Sequence, residues 1–433
     1  MSSEEVLAQS GNSAWMLMAA SLVLLMTPGL AFFYGGMSRS KSVLNMMMMS
    51  FGAMTVVTII YFLWGWSMAY GTQDIAGIFA NPFEFFGLRD SITDADGNYI
   101  AGAFGYPNVI DIAFQVTFAI ITVALISGSL AERVKFTTWL VFAGVWATLV
   151  YFPLSHMVWG GGLLSGAENS FASWIFGTVD DGGDISAAVH PIDFAGGTVV
   201  HINAGMAGLV LALIIGKRVG FGKTAYRPHN LPFVMLGAAL LWFGWFGFNA
   251  GSAFAADGVA GLAWVNTTAA TAAAIAGWLI VEKIRDGHAT SLGAASGIVA
   301  GLVAITPAAG ALSPIGAMIL GVIAGALSAL AVGLKFRFGY DDSLDVVGVH
   351  LVSGLWGTVA IGFLGTETGL FYGGGIDQLI VQIVIALVAL IYTGVLTAVI
   401  AFALKPLGWR VDTEAEESGI DGAEHAETAY ELS

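Results

Sequence analysis

Apolar residues gather into eleven long runs along the chain, at 12–35, 43–70, 111–130, 136–155, 194–215, 231–251, 258–281, 291–307, 313–334, 343–364 and 377–408. A bilayer core about 30 Å thick is crossed by about 20 helical residues, so each run is long enough, or nearly so, to span it. The run at 291–307 is short and glycine-rich, whereas that at 377–408 is long enough to tilt or bend. The pattern predicts an all-α polytopic membrane protein with eleven transmembrane helices.

Charge orients the bundle. With the N-terminus outside, the inner connections carry Arg39, Lys41, Arg133, Lys135, Lys217, Arg218, Lys223, Arg227, Lys283, Arg285, Lys335 and Arg337. Lys405 and Arg410 follow the last helix, and only Arg89 is left outside, the asymmetry that the positive-inside rule demands. An N-out, C-in topology and an odd helix count follow together, because a missed or invented span would scramble this pattern. The chain then divides into a transmembrane domain at 1–408 and a cytosolic tail at 409–433. Most of the net charge of -15 sits in the acidic tail and in an outer loop at 71–110 with Asp74, Glu84, Asp90, Asp94 and Asp96. The tail reads equally well as a solvated, partly disordered end or as a regulatory docking element.

Composition sharpens this picture. Of 433 residues, 57% are hydrophobic and only 10% charged, which excludes an ordinary soluble domain. The 58 glycines suit helices whose backbones approach closely in lipid, and they follow no collagen-like period. No cysteine is present, which removes disulfides, iron–sulfur clusters, thiolate zinc sites and cysteine nucleophiles. The opening Met1-Ser-Ser-Glu-Glu lacks a basic leader region, so the first run reads as a retained helix.

The chemistry lies in the few polar groups at membrane depth, where ionisable side chains are costly and mark a pathway. His201 and His350 alone among the histidines fall well inside the runs, and His156, His190, His229 and His288 fall in or beside loops, as structural or solvated groups. Each buried histidine follows an aspartate by the same interval, in Asp193-Phe-Ala-Gly-Gly-Thr-Val-Val-His201 and Asp342-Ser-Leu-Asp-Val-Val-Gly-Val-His350. The echo points to an internal repeat, with helices one to five at 12–215, six to ten at 231–364, and a final helix at 377–408. Since five is odd, the second half is inverted in the membrane. Helical rise then sets each histidine about 12 Å from opposite faces, which brings both rings to within about 6 Å of one level near the midplane.

Aromatic residues concentrate on the outer side. Phe114 and Phe118 share a helix face, Trp245, Phe248 and Ser252 lie toward the outer end of helix six, and Trp159 falls just beyond helix four. Singly these read as packing or interfacial-belt residues. Together they suit a vestibule in which ring faces attract a desolvating cation by about 1–2 kcal/mol each and Ser252 accepts a hydrogen bond.

At this point the residues carry a resemblance. Asp193-Phe-Ala-Gly-Gly-Thr-Val-Val-His-Ile-Asn-Ala-Gly205 is similar to the signature of the ammonium transporter family (Amt/MEP/Rh), nearer its Amt branch. Ala113-Phe-Gln-Val-Thr-Phe118, His156-Met-Val-Trp-Gly-Gly-Gly-Leu-Leu164, Gly244-Trp-Phe-Gly-Phe-Asn-Ala-Gly-Ser252 and the run from Asp341 to His350 resemble it in the same order. The resemblance implies a homotrimer in the cell membrane, each subunit with its own pore for ammonium or ammonia, with methylammonium as a candidate substrate. It implies an outer cation site at Phe114, Trp159 and Ser252, a gate at Phe118 and Phe248, and twin pore histidines at His201 and His350. Trp245 would line the pore, and Asp193 would shape the site, or cap its helix, with Asp342 as its echo. The stretch 419–430 resembles a tail that engages a PII-type signalling protein. No enzymatic activity, cofactor, metal or nucleic-acid partner is implied.

Other classes fit less well. A sodium-coupled carrier of another small solute shares the inverted repeat but calls for unwound helices around a larger polar pocket. An intramembrane metalloenzyme needs a third ligand and a base, and no His-Glu-x-x-His pattern occurs. An ammonium sensor on a transporter scaffold shares the pore residues, and its appended signalling domain has no room in this short tail.

The topology is testable by labelling, because the chain has no cysteine of its own. Cysteines introduced at Ser2 and Asp94 are expected to react with an impermeant thiol reagent in intact cells, and one at Glu416 only after permeabilisation. Labelling of both ends from one side overturns the eleven-helix count.

Overall fold

The computed structural model describes residues 3–430; Ser2 and residues 431–433 of the tail lie outside it. Among the described residues, eleven helices are long and apolar enough to cross a membrane. They are α1 (Leu7–Met37), α2 (Val43–Tyr70), α3 (Asn108–Leu130), α4 (Phe136–Trp159), α5 (Gly197–Ile215) and α6 (Leu231–Gly251). Then follow α7 (Gly258–Asp286), α8 (Ser291–Ala308), α9 (Pro314–Phe338), α10 (Val347–Leu364) and α11 (Asp377–Ala403). All eleven expected spans are present, and the differences are at their ends. Helix α7 runs on to Asp286 because Lys283 and Arg285 carry it past its apolar stretch. Helices α5 and α10 start later than the apolar pattern, at Gly197 and Val347, for a reason that lies in the site itself.

Burial repeats with a period of five helices. The most enclosed spans are α3 and α8, at 89% and 83% buried, and α5 and α10 follow at 78% and 72%. Both α2 and α7 are only 39% buried and expose their faces to lipid. Two five-helix halves thus contribute the same helices to the centre, and α11, 33% buried, lies outside them.

Small residues set the helix spacing, since lipid offers no hydrophobic drive for association. Helix α1 lies along α6, where a Cβ on Gly247 would come within 2.6 Å of Leu22 Cβ and one on Gly29 within 3.1 Å of Leu240 Cβ. Helices α7 and α9 meet in the same way, with Gly277 on one and Gly321 and Gly325 on the other against facing backbone.

One face of the bundle carries the long connections. In them β1 (Asp74–Ile75) pairs with β2 (Phe79–Ala80), and β3 (Thr178–Asp181) with β4 (Asp184–Ala187), small hairpins that the apolar pattern did not signal. His156 is not in or beside a loop, as its sequence position suggested. It lies in α4, 1% exposed, with Nδ1 3.0 Å from Ala69 O and Nε2 2.9 Å from Asp74. It ties the first hairpin to the bundle.

The opposite face carries the tail. There Arg133 is fully buried, donating to Ser129 O, Asp341 O and Ser343 Oγ at 2.9, 2.7 and 2.6 Å. Burial pulls its guanidinium down to about 10, so it stays charged at neutral pH. Asp341 accepts from Nε and Nη2 of Arg218, both at 2.9 Å. Burial opposes its charge, but the Arg218 bonds and the neighbouring guanidinium charges hold the carboxyl below its usual range.

The tail is not a solvated, disordered end. It folds into α12 (Thr413–Ser418) and α13 (Ile420–His425) against the bundle. Glu416, 2% exposed, accepts from Val219 N at 2.6 Å and pairs with Arg410, while its own carbonyl accepts from Arg39. Asp421 accepts from the first amides of α2, Leu44 N at 3.0 Å and Asn45 N at 2.8 Å. An acidic sequence looks solvated when its acceptors are counted without their donors, and here the donors are helix ends and arginines far away in sequence.

Asp421→Ala is expected to destabilise the docked tail by about 1 kcal/mol, as loss of a helix cap does. Hydrogen exchange of the amides at 412–425 should then accelerate while those of α5 and α10 keep their protection. Unchanged tail protection would mean that the cap does not hold it.

Candidate functional site

The site begins with two aspartates. Asp193 turns its carboxylate into the start of α5, accepting from Gly196 N and Thr198 N at 3.0 Å and Val199 N at 3.3 Å. Gly197 N and Thr198 Oγ1 donate to it as well. Asp342 does the same for α10, accepting from Val346 N at 3.1 Å, Val347 N at 2.7 Å and Ser129 Oγ at 2.9 Å. Both helices start inside the bundle, where their free amides have no water, and a carboxylate answers each start. The residues between aspartate and helix are held by these bonds, which is why the helices begin later than their apolar runs.

Each first turn is then wound as a π-turn, Gly197–Ile202 in α5 and Val347–Leu351 in α10, and each histidine lies near its end. The wider turn rotates the side chains relative to a regular helix. His201 and His350 meet with Nδ1 to Nδ1 at 3.3 Å, their rings 17° from parallel. Four residues after each histidine stands a glycine at which the helices cross. A Cβ on Gly205 would lie 2.6 Å from Leu351 N, and one on Gly354 would lie 3.1 Å from His201 Cβ. The repeated unit is therefore Asp-x7-His-x3-Gly, and its final glycine was a legible signal that the spacing argument passed over.

Around the pair the walls are apolar: Met26, Leu30, Phe33, Leu241 and Val299 line a cavity of about 10 Å³, near the volume one water occupies. Trp245 stacks on His201, ring centroids 5.4 Å apart, and its indole is fixed by donation to Thr306 Oγ1 at 2.8 Å. His201 Nε2 has no partner.

Beyond the pair, toward the face with the hairpins, Phe118 and Phe248 stack 4.2 Å apart and 21° from parallel. A vestibule of about 520 Å³ opens above them and brings together Phe114, Trp159 and Ser252. Phe114 lies edge-on to Phe118 at 4.8 Å, and Phe118 edge-on to Trp159 at 6.0 Å. Trp159 is the last residue of α4 and not beyond it, because the helix continues through a π-turn and Pro153. Its Nε1 donates to Asp193 O at 2.9 Å, so the same aspartate segment that starts α5 also fixes this indole. Ser252 Oγ donates to Phe248 O at 2.8 Å, leaving its lone pairs to accept.

The remaining histidines stay apart from this axis. His190 and His288 are exposed, and His229 sits between Ser38 O at 3.0 Å and Tyr430 OH at 2.8 Å. Among the described residues no group of three or more His, Asp or Glu is arranged to hold a metal.

Sequence reasoning missed Phe104 and Phe254, which stack 3.9 Å apart over the vestibule, Phe254 also meeting Phe114 edge-on at 5.8 Å. No spacing joins the 71–110 loop to the turn after α6. It also missed Asp111, an ionisable group in a span, although the cost of such groups was a usable signal.

The ammonium transporter family model matches residues 14–430, nearly the entire chain. The chain belongs to the ammonium transporter family. Transport of ammonium is the activity that this membership gives it. An ammonium transporter of Mycobacterium tuberculosis is 55% identical over 445 residues, covering 98% of this chain and 90% of the relative. One from Aquifex aeolicus is 47% identical, covering 99% and 95%. Among solved structures, Mep2 of Saccharomyces cerevisiae superposes with a TM-score of 0.80 at 31% identity, covering 93% of this chain and 90% of that one. A Sensor Amt Protein gives 0.84 at 27% identity, covering 97% and 100%. The transporter thus shares its whole scaffold with these proteins.

Gly205→Val is expected to force α5 from α10, overpacking that costs about 1–3 kcal/mol. Thermal unfolding of the detergent-solubilised protein reads the loss, and Gly261→Val, at an open position within α7, serves as a comparison for a branched residue in a helix without the clash. Equal stability of Gly205→Val and the native protein would refute the close crossing.

Proposed function

We propose that the transporter takes up ammonium at the aromatic vestibule, removes its proton at the phenylalanine gate, and passes ammonia along the histidine pair. The observation that carries this reading is the narrow apolar lumen, broken only by two imidazoles joined through Nδ1. A bare cation in such a lumen loses many kcal/mol of hydration, more than ring faces at about 1–2 kcal/mol each return. Ammonia has no such cost. Potassium matches ammonium in size and charge but has no proton to lose, so the lumen discriminates by chemistry.

In this reading Phe114, Trp159 and Ser252 hold the cation, the rings through their faces and the hydroxyl as acceptor. Phe118 and Phe248 stay stacked until a neutral molecule parts them. One Nδ1 of the pair donates and the other accepts, so the tautomers are complementary and the two Nε2 atoms differ, one a donor and one an acceptor. The ring whose Nε2 is unprotonated accepts the proton that ammonium loses, and transfer across the Nδ1 pair relays it without both rings being charged at once. Asp193, its oxygens occupied by five donors, holds the geometry and takes no proton.

The vestibule faces outward and the tail inward, in the cell membrane, a reading supported by the basic residues clustered on the tail face. The resemblance supports a homotrimer, and the tail packed at the inner face is where a PII-type protein would act. The sensor alternative shares this scaffold, but 55% identity to a named ammonium transporter favours transport.

Uptake of radiolabelled methylammonium by proteoliposomes, with ammonium as competitor and potassium as control, tests the function. His201→Ala and His350→Ala are each expected to reduce uptake or its selectivity over potassium. Together they should cost much less than the sum, with a coupling of about 0.5–3 kcal/mol as for residues in contact. Fully additive losses would separate the two histidines and remove the relay.

A further inference from the structure

Two carboxylates line the vestibule, and their surroundings differ. Asp193 is fully engaged by the start of α5, as described above. Asp111 lies in the first turn of α3, 7% exposed, and its Oδ1 has no hydrogen-bond partner among the described residues. Of the tyrosines around it, Tyr70 OH accepts from Ser155 Oγ at 3.1 Å, and Tyr61 OH and Tyr106 OH have no partner among the described residues. No lysine or arginine is among the residues lining the cavity.

An unpartnered carboxylate inside a protein is costly, and in a membrane protein it marks a ligand path. Helical spacing defines which path. Phe114, Gln115 and Phe118 follow Asp111 by three, four and seven residues, so all four share one stripe of α3. At 1.5 Å per residue, Asp111 stands about 4.5 Å above Phe114 and about 10.5 Å above the gate residue Phe118. The carboxylate is therefore on the entrance side of the rings, within the same cavity as Trp159 and Ser252.

The lining names the ligand class. Electron-rich ring faces and a lone carboxylate oxygen both favour a cation, and the oxygen favours one with N–H donors. Calcium takes six or more oxygens, and this stripe offers one carboxylate. We infer that Asp111 is the counter-ion of the outer ammonium site, accepting a hydrogen bond from ammonium held against Phe114 and Trp159. This inference rests on the outer-site reading above. It assigns to one residue the charge that aromatic rings alone do not supply, so the vestibule concentrates the cation before the gate removes its proton.

The test uses the full chain in proteoliposomes, with radiolabelled methylammonium as substrate and ammonium as competitor. Asp111→Asn, which keeps the shape and removes the charge, is expected to raise KM and the inhibition constant of ammonium by about tenfold, more than it lowers Vmax. Asp111→Glu should recover most of the affinity, which a merely structural role in α3 does not predict. Trp159→Leu tests the underlying site and should also raise KM. If Trp159→Leu raises KM while Asp111→Asn leaves it within about twofold, the Asp111 assignment is overturned and the outer site stands. If neither changes KM, the outer site itself falls. Should Asp111→Asn fail to assemble, Asp111→Ser gives a second uncharged variant; the same rise in KM is expected, and a KM within about twofold of the native value overturns the inference.

Discussion

Inside a bilayer no solvent replaces a missing hydrogen bond, and the centre of this transporter is organised around that constraint. Two helices start within the bundle, and their free amides would each be costly there. Asp193 and Asp342 supply the acceptors. The π-turns that follow, the direction of the two imidazoles and the glycine crossing of α5 and α10 all descend from those two caps. Asp193 extends the same control outward, since its backbone carbonyl fixes the Trp159 indole at the vestibule.

Other polar groups at membrane depth serve packing, and the distinction is visible in their partners. Asn249 donates to Thr267 Oγ1 and receives Thr306, which in turn orients Trp245. Asn203 receives Thr393 from α11, and Asn266 donates to Ala309 O and Leu312 O in the connection after α8. Apart from Asn266 Oδ1, the side-chain atoms of these groups find partners within the bundle. His201 Nε2 and Asp111 Oδ1 do not, and both lie on the cavities that run from vestibule to lumen. Unpartnered atoms also occur away from these cavities, at Ser50, Trp242 and Thr358, so it is their place on the cavities that sets His201 and Asp111 apart.

On the tail face the same logic links distant segments. Glu416 in α12 bonds Val219 and Arg410; Arg218, next to Val219, bonds Asp341; and Asp341 adjoins the Asp342 that caps α10. The tail is thus two bonded contacts away from a segment that orients His350. Tyr226 closes the cluster with its ring under the Arg39 and Arg218 guanidinium groups, centroids 5.1 and 4.2 Å away.

Sequence alone determined the features that follow from one-dimensional periodicity. Eleven apolar runs gave eleven helices because span length is set by bilayer thickness. The repeated Asp-x7-His interval paired His201 with His350. The helices begin only at Gly197 and Val347, as π-turns, so it is the repeated cap and turn and not a constant helical rise that brings the rings together. Phe114, Phe118, Trp159 and Ser252 were legible through their motifs, and the structure gathers them around one cavity, with Phe248 stacked on Phe118 at the lumen side. Tertiary structure decided what depends on partners far away in the chain. The tail stayed open between a solvated end and a docked one because its acids were read without Arg410 and the Val219 and α2 amides that donate to them. His156 looked like a loop residue because a π-turn, invisible in composition, prolongs α4. The Phe104–Phe254 stack joins segments that no periodicity relates, and whether Asp111 or Asp193 keeps an open oxygen depends on which backbone amides fold back onto it. Spacing along a helix is a local property of the chain, whereas the satisfaction of a buried polar group belongs to the assembled fold.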